Sequence, residues 1–76
     1  MSDLQNRITD LLLPMLGKSM TAAAIHTNCR KIGVAPDALH RTNLGALSTE
    51  LAKGLSIFLG ADRAAVVART IAMLDA

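Results

Sequence analysis

The sequence predicts an all-α fold: a compact bundle of four or five short helices forming a single domain over residues 1–76. Leucine and alanine dominate, and β-branched residues are sparse, which favours helix over strand. Apolar residues recur at steps of three and four, and no run alternates with period two. Glycine and proline fall at the ends of the apolar rows, where helices start and stop.

The first helix is predicted over about Asp3 to Leu13, with Ser2 or Asp3 as cap and Asp3–Arg7 as an i,i+4 ion pair. Leu4, Ile8, Leu11, Leu12 and Met15 share one face. Pro14 donates no bond to the carbonyl of Asp10, so it kinks the helix or ends it, and Gly17 closes the element. A second helix starts at Lys18 or Ser19 and ends near Ile32, with Met20 or Ala24, Ile25, Cys29 and Ile32 as its stripe. Gly33 reads as a left-handed C′ residue with Val34 as its hydrophobic closure. Pro36 to His40 reads as a short helix or turn. The third helix runs from about Leu44 to Leu59, capped by Thr42 or Asn43, with Leu44, Leu47, Leu51, Leu55 and Phe58 facing inward. Gly54 in its interior is open to close approach by another backbone. Asp62 caps the last helix, about Asp62 to Leu74, with Ala64, Val67, Ala68, Ile71 and Leu74 toward the core. Val66, Ala72 and Met73 widen its apolar surface beyond one stripe.

Composition narrows the function classes. An apolar content of 51% with a net charge of +2 is not the signature of a disordered chain. The longest stretch without Asp, Glu, Lys or Arg is Ser19 to Cys29, short of the ~20 residues a membrane span requires. The N-terminus has no basic n-region, so no secretory signal is expected. The lone Cys29 forms no internal disulfide, which points to the reducing cytoplasm. A chain of 76 residues with one aromatic, Phe58, has a thin stability margin, which points to self-association or a protein partner.

Catalytic signatures are missing. Gly17-Lys18-Ser19 lacks the upstream glycine and strand of a phosphate loop and reads as a helix boundary. The six acidic residues lie mostly at helix ends and pair nowhere for acid–base chemistry. His26 and Cys29 share a helix face, but a structural zinc site needs four ligands and His40 need not come near. No catalytic residue, metal ligand or cofactor is assigned.

The segment Cys29 to Arg41 resembles the centre of a bacterial helix-turn-helix motif. Gly33 matches the turn glycine, flanked by Ile32 and Val34, and Leu39 matches the buried position of a recognition helix. The resemblance implies DNA contact by His40 and Arg41, with Arg30 and Lys31 beside them. It departs at Cys29, where the motif has a small alanine, and at Thr42, where a second apolar anchor belongs. A Schellman stop followed by a proline turn explains the same residues. The eight basic residues are spread over all the helices without interleaved aromatics, which supplies no stacking platform for bases.

Leu-Leu-Pro-Met-Leu-Gly at 12–17, Lys-Ile-Gly-Val at 31–34, Asn-Leu-Gly-Ala-Leu at 43–47 and Ile-Phe-Leu-Gly at 57–60 are similar to small all-helical modules attached to bacterial signalling proteins. That resemblance implies an adaptor or dimerisation unit and transfers no site residue. The reading is therefore a non-enzymatic, self-associating interaction module with a cytoplasmic regulatory or assembly role. Its interface is expected at Gly54, Val66, Ala72 and Met73. A small DNA-binding regulator using Gly33 to Arg41 is the alternative.

Overall fold

The computed structural model describes residues 3–74. The chain runs α1 (Asp3–Lys31), two three-residue 3-10 turns (Pro36–Ala38 and Arg41–Asn43), α2 (Leu44–Leu59) and α3 (Ala61–Ala72). No strand occurs among the described residues. The fold is all-helical, with three α-helices rather than the four or five expected from sequence.

The difference arises at one glycine. The two helices predicted on either side of Pro14 and Gly17 adjoin without a loop and are counted together as α1, 29 residues interrupted by non-helical backbone at Gly17. Pro14 lies inside it and does not end it. The bend is made at Gly17, whose φ of 79° and ψ of 171° are open only to a residue without Cβ. A straight helix of that length would span ~43 Å, whereas the longest dimension of the whole molecule is 28 Å. By length and composition α1 is sufficient to cross a bilayer, its most apolar window having a mean hydropathy of 1.2. The corner divides α1 into two arms of about 21 Å each, both shorter than the ~30 Å hydrocarbon layer, and one face of each arm is buried in the core.

A second corner follows the same rule. Gly60, with φ 85° and ψ 159°, ends α2 and starts α3 with no loop between them. Its N–H donates to the Ser56 carbonyl at 3.0 Å, and its carbonyl accepts from the Ala64 N–H at 3.0 Å. Gly60 thus stands where Asp62 was expected to cap α3, and α3 starts at Ala61 with no side-chain cap. Each corner glycine follows a leucine, Leu16 or Leu59, packed against the core.

The end of α1 closes as its sequence predicts. Gly33 has φ 76°. The Val34 N–H donates to the Cys29 carbonyl at 3.0 Å and the Gly33 N–H to the Arg30 carbonyl at 3.1 Å, the paired bonds of a Schellman motif. The chain then descends through the two 3-10 turns, and buried Leu39 pins it to the core between them. Asn43 does not cap α2 through its side chain; its Oδ1 instead accepts from the His40 N–H at 2.9 Å and ties the second turn. Asp3 and Arg7 pair as expected, Nε to Oδ2 at 3.2 Å.

One core joins all three helices. α2 is its centre, contacting α1, α3 and the second 3-10 turn. Leu44, Leu47, Leu51 and Leu55 line its inner face, with Ile8, Leu12, Ile25 and Cys29 from α1 and Ala64, Val67 and Ile71 from α3. Phe58, expected on the inner face, is 63% exposed, and Met15 and Met20 are also exposed. Phe58 lies in the last turn of α2, just before the corner at Gly60. Three polar residues are buried. Asn28 donates to the Ala24 carbonyl at 2.7 Å, and Ser48 to the Gly45 carbonyl at 2.9 Å. The Thr21 hydroxyl is buried with no hydrogen-bond partner.

Two expected outcomes follow from this packing. Thr21→Val replaces an unpaired buried hydroxyl with a methyl group and raises stability by about 1 kcal/mol, read as a higher melting temperature. Of two glycines with open space around the missing Cβ, Gly54 is helical and Gly60 is not. Gly54→Ala gains ~0.5–1 kcal/mol and Gly60→Ala loses ~1–3 kcal/mol, both measured by urea unfolding in dilute solution. Equal midpoints for the two variants would contradict the corner at Gly60.

Candidate functional site

An apolar groove lies between α1 and the outer part of α2. Residues on α1 recur at the helical step: Leu16, Met20, Ala23, Ala24, Thr27, Asn28 and Lys31. Leu51, Gly54, Leu55 and Phe58 face them from α2. Ala23, Ala24 and Gly54 have little or no side chain, so the two helices leave an open groove of about 220 Å³. A dry cavity of ~150 Å³ accepts a benzene ring, so this groove has room for one large apolar side chain. Met20 and Phe58 border it and are 40% and 63% exposed. Lys31 is the one charged residue in its lining.

Gly54 belongs to this groove, but no backbone of its own chain approaches it: a Cβ there meets nothing within 4 Å. The expected close approach is therefore not made within the monomer. The other expected interface residues lie elsewhere. Ala72 and Met73 line a shallow depression with Arg41, Thr42 and Leu74. Val66, 58% exposed, is one heptad before Met73 and shares its stripe on α3. The structure separates Gly54 from Val66, Ala72 and Met73 rather than uniting them in one lining. Sequence reading missed Ala23 and Thr27. Their signal was the Met20, Ala23, Thr27, Lys31 row, at steps of three and four.

The residues read for DNA contact do not form a helix-turn-helix. Arg30 and Lys31 end α1, as expected. Where the recognition helix would begin, the chain instead makes two separate 3-10 turns. Leu39 and His40 between them are extended, at ψ 133° and 163°. Pro36 presets the first turn, and the His40–Asn43 bond closes the second, so no helix continues across them. His40 and Arg41 consequently have no helical register toward a groove of DNA.

Among the described residues, no three His, Cys, Asp or Glu side chains are grouped for a metal ion. Cys29 is fully buried, and desolvation pushes its thiol above the ordinary 9.0. His26 and Arg30 border a shallow hollow beside Gly33 to Pro36. The Lys53 ammonium donates to Glu50 Oε2 at 2.8 Å and holds that carboxyl below its usual range, with Lys53 and Lys31 adding their charge.

No protein-family model, curated protein or solved structure matches this chain.

Because the folded thiol of Cys29 is harder to ionise than the unfolded one, its contribution to stability is complete below the ordinary value of 9.0 and is lost as pH rises through the higher folded value. The native protein is accordingly inert to thiol reagents at neutral pH and reacts once denatured. Rapid modification of native protein, followed by absorbance, would contradict the burial.

Proposed function

We propose that this chain is a non-enzymatic interaction module that self-associates through the α1–α2 groove, with a cytoplasmic regulatory or assembly role. The observation that carries the reading is the placement of Phe58. An exposed aromatic and an apolar groove of side-chain size lie on one surface of one small molecule. A two-fold interface requires that of a single patch: each copy must offer both the projection and the recess. In this assembly Phe58 of each copy enters the groove of the other beside Gly54, where the missing Cβ leaves space. A standard interface takes ~800 Å² per partner, and the chain exposes 4564 Å² in all. The groove with its borders at Met20 and Phe58 serves as the apolar centre of such a contact. A buried aromatic at that position has the character of an anchor residue. The single cysteine, kept as a thiol, supports the cytoplasmic setting.

Sedimentation equilibrium tests this reading. Wild-type protein shows a concentration-dependent dimer, and Phe58→Ser raises the dissociation constant by about tenfold or more, with an unchanged helical spectrum. Met73→Ser, on the separate α3 stripe, leaves the constant unaltered. A wild-type chain that stays monomeric at every concentration overturns the proposal, as does a dimer indifferent to Phe58→Ser.

A further inference from the structure

The groove uses a face that the folded monomer already presents. A different association is built into the bend of α1. Gly17 alone carries the change of direction between the arm Asp3–Leu16 and the rest of α1. Its φ of 79° and ψ of 171° differ from the helical values of about −63° and −42°. Rotation at this one residue converts the bent element to a straight helix. On the side where a Cβ would project from Gly17 the space is open, with no atom within 4 Å. The arm itself is deeply seated: Leu4, Ile8 and Leu12 are 3%, 0% and 0% exposed.

We propose that Gly17 is the hinge of an arm exchange, in which Asp3–Leu16 leaves its own core, α1 straightens, and the arm seats on a second copy of this chain. The occupant of the vacated seat is defined by the structure, because the seat already holds this arm in the monomer. An opened arm does not remain in water, since three large apolar side chains would be exposed together. A straight α1 of ~43 Å extends well beyond a molecule 28 Å in its longest dimension, so the arm reaches past its own core to a neighbour's. Every core contact is recovered in the exchanged pair, and the backbone at Gly17 changes from a glycine-only conformation to a helical one.

The test uses the full chain carrying Phe58→Ser, so that association through the groove is removed and the two proposals stand or fall separately. Adding Gly17→Ala disfavours the bend, which an L-residue tolerates poorly, and favours the straight helix. The dimer fraction in sedimentation velocity then rises about tenfold or more over Phe58→Ser alone, with full helicity by circular dichroism. A D-alanine at position 17, introduced by chemical synthesis, suits the positive φ and holds the chain monomeric. A Gly17→Ala chain that is helical and monomeric at every concentration overturns the hinge. Where Gly17→Ala loses its helicity, the glycine and D-alanine chains decide. Association of the glycine chain alone supports the exchange, and the same state in both overturns it.

Discussion

The structure depends on two backbone positions that only glycine occupies without strain. A chain of this size closes a core only if its helices double back within a few residues. Gly17 and Gly60 make those reversals with no intervening loop, at φ 79° and 85°. Each saves the entropy of ordering a longer connection. Each also sets the direction in which the following helix departs, and through it the burial of everything downstream. The first corner brings Ile25 and Cys29 into the same core as Ile8 and Leu12. The second lays α3 along α2 so that Ala64, Val67 and Ile71 cover one flank of the leucine row.

The groove is a consequence of the same geometry. α2 is the common partner of the other helices, and its inner face is occupied along Leu44 to Leu55. The second arm of α1 meets α2 with alanines and a glycine, so the outer seam between them stays unfilled. Phe58 borders the groove just before the turn at Gly60 and stays largely exposed. No aromatic side chain enters the core, and the one aromatic residue remains on the surface. Its size and the opening beside it are the features the proposed contact draws on.

Electrostatics adds little to the fold. The Asp3–Arg7 and Glu50–Lys53 pairs lie on the surface, where such pairs contribute little. The buried polar groups are local, and Asn28 and Ser48 return their bonds to backbone carbonyls of their own helices. Thr21 lies four residues after Gly17, the distance at which a threonine hydroxyl in a helix reaches a backbone carbonyl, yet its oxygen has no partner. The bent geometry of α1 thus leaves one hydroxyl unsatisfied in the core.

The sequence by itself determined the all-helical class, the leucine row of α2, the buried stripe of α3 and the Schellman end of α1. These rest on local periodicity and on the conformations open to glycine and proline, and neighbours are not needed to decide them. Tertiary structure decided that the helices on either side of Gly17 meet at a corner with no loop between them, as they do at Gly60. A positive φ at glycine fits a loop and a corner alike, and only packing of both arms on one core selects the corner. It likewise decided that residues 36–43 form two 3-10 turns instead of a recognition helix, because Leu39 must reach the core in a short connection. Phe58 obeys the period of the predicted core, but it borders an unfilled groove and stays largely exposed, which periodicity alone does not decide.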